Sequence, residues 1–100
     1  MLKIIAEQLH QSDKPIFKVL FRNNHTRIVG FGVKKGMKLV DHQLPVCTKI
    51  AIIEGCLVID SKIEVITLHK FDTYTMPKKV IHQVRVLEDT IALLILDFNE

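Results

Sequence analysis

Two histidines in apolar, strand-like segments are the residues of this sequence whose type and placement best suit chemistry. His42 lies within the segment GMKLVDHQLPVCTKIAIIEG, which runs from Gly36 to Gly55, and His82 ends the segment FDTYTMPKKVIH, which starts at Phe71. Imidazole titrates near neutral pH, and its neutral ring can ligate a metal or share hydrogen bonds. If the two segments meet in a closed β-structure, we expect both rings to face one interior.

The alternation of side chains along a strand predicts the other residues of that interior. An inward His42 brings Leu44 with it, and an inward His82 brings Val84, while Arg85 points to solvent or to a partner. The predicted pocket is apolar apart from two imidazoles and one hydroxyl, and consists of His42, Leu44, Thr48, Ile50, Met76, His82 and Val84. This composition is typical of small-ligand sites, in which a few polar groups orient an apolar guest.

The histidine pair leaves three kinds of chemistry open. As metal ligands, His42 and His82 supply two of the roughly three protein ligands that a catalytic first-row metal requires, which would give a weakly held divalent iron, manganese, zinc or nickel ion. As neutral core histidines without a metal, they would hydrogen-bond to their surroundings or to a guest. Acting by themselves, one ring would be a general base and the other a donor to a bound anion.

The remaining nucleophilic and titratable residues give weaker indications. Cys47 and Cys56 are too far apart for a C-x2-C metal pair, and we interpret them as free, half-buried thiols in a reducing compartment. His10, His25 and His69 fall in or beside polar turns and are expected at the surface. The sequence contains no glycine-rich phosphate loop, no G-x-S-x-G motif and no paired carboxylates.

The elements that would position the histidines are short β-strands. Turn residues separate apolar or alternating segments at regular spacing, which is typical of an antiparallel sandwich or small barrel. Turns are predicted at Glu54 and Gly55 and at Glu88 and Asp89, and the apolar run Thr48–Ile53 is predicted to be buried on both faces. The predicted strands span residues 16–22, 27–33, 37–42, 48–53, 57–59, 63–68, 73–76, 82–87 and 91–98. Residues 1–15 are expected to form an N-terminal extension, as a strand or a short helix.

The length and composition predict a single domain over residues 1–100 that pairs with a second copy of itself. The hydrophobic content of 48% is high for so small a core, and the run from Ile91 to Leu96 is apolar on both faces, so we expect a homodimer. No apolar run approaches membrane-spanning length and no leader is evident, which predicts a cytoplasmic protein without membrane contact. The net charge of +3 comes from dispersed basic residues, which argues against nucleic-acid binding.

The two histidine segments resemble the paired motifs of the cupin family. The first family motif, G-x5-H-x-H-x3-4-E-x6-G, is matched by Gly36, His42 and Gly55. The second, G-x5-P-x-G-x2-H-x3-N, is matched by Pro77 and His82. The resemblance spans residues 16–98 and implies an all-β fold, an antiparallel double-stranded β-helix or jelly-roll barrel.

Five positions depart from these motifs. Leu44 stands at the second histidine of the family and Thr48 at its glutamate, so two of the four metal-ligand positions carry no metal ligand. Phe71 and Lys79 stand at two glycines of the second motif, and Val86 stands at its final asparagine.

Two functional hypotheses follow, and both remain open. In the first, the chain is a small-molecule-binding, cupin-like domain that holds its ligand in the barrel by His42 and His82 and catalyses no reaction. The alternative, which the resemblance implies, is a metal-dependent cupin enzyme of dioxygenase or isomerase type with a reduced metal site. A third possibility is a vestigial pocket beside a functional dimer surface.

Overall fold

The structure, a computed structural model, describes residues 2–42 and 46–98, with the backbone alone at residues 38 and 40–42. In that part of the chain it contains one helix and seven antiparallel strands, as the all-β prediction requires. The helix is α1 (Leu2–Leu9), and the strands are β1 (Ile16–Arg22), β2 (Thr26–Val33), β3 (Lys38–His42), β4 (Cys47–Ser61), β5 (Val65–Leu68), β6 (Thr73–Met76) and β7 (His82–Asp97).

Two long strands, β4 and β7, organise the sheet by pairing along almost their whole length. The strand order is β1-β2-β7-β4-β5, with β3 beside β7 and β6 beside β4. Strand β7 pairs first with β3 and later with β2, whereas β4 pairs first with β6 and later with β5. The sheet therefore has two halves, β1-β2-β7-β4-β6 and β3-β7-β4-β5, which share their central strands.

Irregular pairing around Gly55 lets both central strands pass from one half to the other without a turn. The register of β4 against β7 shifts three times in this region. Gly55 has a φ of 103°, and a Cβ at this position would collide with Thr90. The Cys56 N–H donates a hydrogen bond to Thr90 Oγ1 at 3.2 Å, and this hydroxyl donates to the Glu88 carbonyl at 2.8 Å. The buried Thr90 thus ties the two irregular segments together.

The turns predicted at Glu54 and Gly55 and at Glu88 and Asp89 are therefore wrong. Each is an irregularity inside one continuous strand, so the predicted strands 48–53 and 57–59 belong to β4, and 82–87 and 91–98 belong to β7. Glycine and short polar residues are found in β-bulges as well as in turns, because both need unusual backbone geometry.

The prediction that Thr48–Ile53 is buried on both faces is also wrong. Thr48, Ile50 and Ile52 are buried and face the core, whereas Lys49 is exposed. The outer face of this part of β4 is in contact with solvent, so the strand alternates despite its apolar composition. The core itself lies between the two halves of the sheet and contains Phe31, Val33, Ile50, Ile52, Leu57, Ile59, Leu68, Met76, Val86 and Ala92.

Helix α1 covers β2 on the face of the sheet opposite this core. Its buried residues Ile5 and Leu9 pack over Gly30 and Gly32, where a Cβ would collide with Ile5. The two glycines therefore allow the helix to approach the strand backbone closely. The N-terminal extension is thus a helix rather than a strand. No helix within residues 2–42 and 46–98 is long and apolar enough to cross a membrane.

Candidate ligand-binding cavity

A cavity of about 130 Å³ lies between the two halves of the sheet. Both halves contribute to its wall, which among the described residues is apolar apart from one imidazole. The ten described lining residues are Phe17, Phe31, Leu39, Ile50, Leu57, Ile59, Met76, His82, Val84 and Leu94. The volume is close to that of engineered protein cavities of roughly 150 Å³ that hold benzene.

The strand register determines which side chains reach the cavity. Ile50 of β4 is paired with Leu94 of β7 in one half of the sheet, and Ile59 is paired with Val84 in the other. Val84 is paired in turn with Leu39 of β3. Because directly opposed residues of antiparallel strands share a face, each of these pairs gives the wall neighbouring apolar groups.

One part of the wall is a pair of stacked aromatic rings. Phe17 of β1 and Phe31 of β2 are paired in register, and their ring centroids are 4.8 Å apart. Phe31 is buried, whereas Phe17 lies on the edge strand of the sheet and is 52% exposed. The Phe17 side chain therefore separates the cavity from solvent at this point.

His82 is the polar residue of the described wall. It begins β7 and is 3% exposed, and neither Nδ1 nor Nε2 has a hydrogen-bond partner among the described residues. Burial lowers the pKa of His82, because the imidazolium is poorly solvated there, and the nearby backbone of Val80 opposes this effect without reaching hydrogen-bond geometry. The ring is therefore neutral at pH 7 and offers one donor and one acceptor.

Four of the seven residues predicted for the pocket line this cavity: Ile50, Met76, His82 and Val84. Thr48 is not among the lining residues. It is fully buried, but its hydroxyl donates a hydrogen bond to the carbonyl of Val46 at 3.2 Å. The hydroxyl that the sequence predicts for the pocket is thus bonded to the backbone just before β4.

His42 occupies the position directly opposite His82, on the neighbouring strand β3. The backbones of the two histidine segments are therefore paired as neighbouring strands. The His42 side chain and the whole of Leu44 lie outside the described part of the structure, and their places in the pocket stay predictions.

Six lining residues are absent from the sequence-based prediction: Phe17, Phe31, Leu39, Leu57, Ile59 and Leu94. All six are apolar residues of strands that the alternation pattern identifies in whole or in part. The pattern alone could not select them, because it does not show that β1 and β2 extend the same face as β4 and β7. The sequence does carry a signal for Phe17, because alternation places Phe17, Val19 and Phe21 on one apolar side of the strand.

The donor groups in the described part of the chain do not fit a three-ligand metal site. No three His, Cys, Asp or Glu side chains of residues 2–42 and 46–98 with described side chains come together. The other described residues around His82 in the cavity are apolar. The assignment of His42 and His82 as metal ligands therefore stays a prediction, because His82 is the one of the two whose side chain the structure describes.

Cys56 and His69 form a second polar contact, outside the cavity. Cys56 Sγ lies 3.7 Å from Nδ1 of the exposed His69, whose backbone N–H donates to the Asp72 carboxylate at 2.9 Å. Burial raises the pKa of the Cys56 thiol, and the negative charges of Glu88 and Asp72 raise it further. The thiol is protonated at neutral pH, so this pair lacks an activated nucleophile. Cys47 and Cys56 are both free, as the sequence predicts.

No protein-family model matches the sequence, and no curated protein is detectably similar to it. Solved structures, however, share its architecture. A cupin superfamily protein from Desulfitobacterium hafniense superposes with a TM-score of 0.79, at 19% identity over 88% of this chain and 81% of that one. A cupin-2 domain containing protein from Shewanella frigidimarina gives a TM-score of 0.74, at 18% identity over 97% of this chain and 99% of that one.

A third similar structure is an RmlC-like cupin family protein from Methanocaldococcus jannaschii with a double-stranded β-helix fold. Its TM-score is 0.74, at 11% identity over 86% of this chain and 82% of that one. At identities this low the likeness establishes architecture alone. It confirms the antiparallel double-stranded β-helix, or jelly roll, that the two motifs imply.

Proposed function

We propose that this chain, which has the double-stranded β-helix fold of the cupins, binds a small and largely apolar molecule in its cavity and catalyses no reaction. His82 is the described polar anchor, and His42 is the expected second anchor. The observation that carries the proposal is a cavity of about 130 Å³ whose described wall has nine apolar residues and one buried imidazole, and neither ring nitrogen of this imidazole has a hydrogen-bond partner among the described residues.

A guest that fills the cavity would remove its apolar wall from water, and a hydrogen bond from the guest would give the buried imidazole of His82 a partner.

Ligand binding can be tested by filling the cavity. The test variant is Val84→Phe, which adds side-chain volume at the cavity wall. The control is Val65→Phe, which makes the same change at a strand residue that is 59% exposed. Thermal shift and calorimetry are used to screen a panel of neutral aromatic and aliphatic molecules with six to eight heavy atoms. This size range follows from the engineered cavities of similar volume that hold benzene. We expect saturable stabilisation of the wild type and of Val65→Phe, and none of Val84→Phe. Absence of saturable binding across the panel, or equal binding by Val84→Phe, contradicts the proposal.

A metal-dependent dioxygenase or isomerase is the second candidate. The observation that favours it is the direct opposition of His42 and His82 on adjacent strands. Elemental analysis of protein purified without a histidine tag discriminates the two candidates. Near-stoichiometric iron, manganese, zinc or nickel that is lost in His82→Ala would support the enzyme, and retention of apolar ligands by metal-free protein would support the binder.

We also propose that the chain assembles as a homodimer through β1. Among the described strands β1 is an edge strand, and one of its faces carries two apolar residues, Phe17 and Val19, that are 52% and 51% exposed. Exposed apolar side chains on an edge strand are a common site of pairing between chains. Light scattering should give twice the chain mass of 11.5 kDa, and Val19→Asp should shift the mass to that of the monomer. A monomer at micromolar concentration in the wild type contradicts the dimer.

A further inference from the structure

We propose that the ligand of this cavity is a neutral monocyclic phenol, a single six-membered aromatic ring whose hydroxyl group hydrogen-bonds to His82. This inference rests on the proposed function and specifies the class of molecule bound. Three properties of the cavity select this class: its volume, its aromatic surface, and the lack of charged side chains among the described residues of its wall.

The volume selects one ring. The cavity of about 130 Å³ is slightly smaller than the engineered cavities of roughly 150 Å³ that bind benzene. One six-membered ring with a small substituent therefore fits. Drug-sized ligands occupy pockets of about 300–1,000 Å³ and exceed this space.

The surface of the wall favours an aromatic ring over a saturated one. Phe31 is buried against the cavity, with Phe17 stacked on it at an interplanar angle of 30°. The buried Met76 adds a thioether to the same wall. An aromatic guest gains offset or edge-to-face contacts with a phenylalanine ring and favourable contacts with a sulfur atom. A saturated ring of the same size gains neither.

The polar group favours a neutral hydroxyl over a charged substituent. No Lys, Arg, Asp or Glu is among the ten described residues of the wall, so a carboxylate or an ammonium group would be buried without a described counter-charge. A phenolic hydroxyl has a pKa near 10 or so, stays neutral at pH 7, and can donate to or accept from an imidazole nitrogen.

Calorimetric titration of the full chain with phenol, toluene, benzoate and cyclohexanol tests the class. Phenol and toluene have the same number of heavy atoms, so their difference isolates the hydroxyl group. We expect phenol to bind about tenfold more tightly than toluene, as one well-made hydrogen bond provides. Cyclohexanol should bind more weakly than phenol, and benzoate should not bind.

His82→Leu supplies the decisive variant. Without the imidazole the phenol hydroxyl would be buried without a described partner, so the order of phenol and toluene should reverse. His69→Leu removes an exposed imidazole outside the cavity and should keep the wild-type order. If His82→Leu does not fold, as judged by circular dichroism, the wild-type series of four compounds decides the question by itself.

The outcomes separate this inference from the proposed function. Toluene binding as tightly as phenol to the wild type, benzoate binding as tightly as phenol, or an unchanged order in folded His82→Leu overturns the phenol class. If toluene or cyclohexanol binds while phenol does not, the cavity is a ligand site of another class and the proposed function stands. If none of the four compounds binds and the wider panel also fails, both proposals fall.

Discussion

Phe17 and Phe31 stack across β1 and β2 with ring centroids 4.8 Å apart, and one ring is half exposed while the other is buried. Both rings line the cavity, and Phe17 lies on an edge strand. The Phe17 ring can be removed at moderate cost, because half of it is exposed in the single chain, whereas the Phe31 ring belongs to the core. This difference gives a first prediction.

Phe17→Ala should lower the free energy of unfolding by about 1–2 kcal/mol and weaken ligand binding, whereas Phe31→Ala should cost about 3–5 kcal/mol. Urea denaturation measures both values, and calorimetry measures the affinity. Phe21→Ala is the matched control, since Phe21 lies on the same strand at 50% exposure but does not line the cavity. Equal losses of affinity in Phe17→Ala and Phe21→Ala would contradict the role of Phe17 in closing the cavity.

His82 should make the stability of the protein fall in mild acid. Its pKa is lowered in the folded state from the ordinary value of 6.5, so below that pH the unfolded chain binds a proton that the folded chain resists. The neutral ring therefore contributes stability that is fully present above pH 6.5 and is lost as the pH falls through the folded-state pKa. The described residues that share the cavity with His82 carry no titratable group, and His42 lies opposite it on β3.

Urea denaturation of wild type and His82→Leu between pH 5 and 8, the range in which imidazole titrates, checks this prediction. The difference in stability between the two proteins should grow in favour of the variant as the pH falls. His69→Leu is the control, and its stability should follow the wild type. Parallel profiles for wild type and His82→Leu would show that the His82 ring titrates normally.

Gly55→Ala should be among the most destabilising small substitutions in the chain. The positive φ of 103° disfavours any side chain, and the added Cβ would collide with the backbone at Asp89 and with Thr90. Backbone strain of about 1–2 kcal/mol and overpacking of about 1–3 kcal/mol together predict a loss of roughly 3 kcal/mol. Gly36→Ala separates the two terms, because Gly36 has a φ of 86° with nothing near its Cβ. That variant should lose about 1–2 kcal/mol, and equal losses at both glycines would remove the steric argument.

The Phe71→Gly variant of the protein should be more stable than the Phe71→Ala variant. Phe71 has a φ of 71° and is 77% exposed, so its side chain contributes little burial and its backbone is strained. Alanine retains the cost of the left-handed conformation and glycine removes it, which predicts a difference of about 1 kcal/mol in favour of Phe71→Gly. At the exposed strand position Lys49 the order should be the opposite. Thermal unfolding of the four variants gives the sign, and a less stable Phe71→Gly would refute the strain.

The sequence predicted local structure well where a short strand lies between strong turn signals. The bounds of β1 and β6 match, and the alternation from His82 to Val86 is as expected, with both residues buried and Arg85 exposed. The spacing of the second motif was informative even where its residues differ. Phe71 and Lys79, which stand at two of its glycines, are the non-glycine residues with positive φ in the described part of the chain.

The sequence could not show which strands continue through an irregularity. Gly55 serves as a turn residue in one context and as a bulge residue in another, and the choice depends on Thr90 of a strand far along the chain. A related reason explains why the sequence predicts only some of the residues that line the cavity. His82 and Val84 follow from local alternation, whereas Phe17 reaches the cavity through the pairing of β1 with β2, which no local pattern encodes.

The pairing of β4 with β7 has a consequence for how the chain folds. Ser61 lies opposite His82, so the near end of this ladder encloses the segment that contains β5 and β6, while Cys47 lies opposite Asp97 at the far end. Zipping from the near end toward the far end closes the smallest loop first. Because most of the ladder joins residues distant in sequence, we expect refolding on the order of milliseconds to seconds. The pairing of Cys47 with Asp97 should form last.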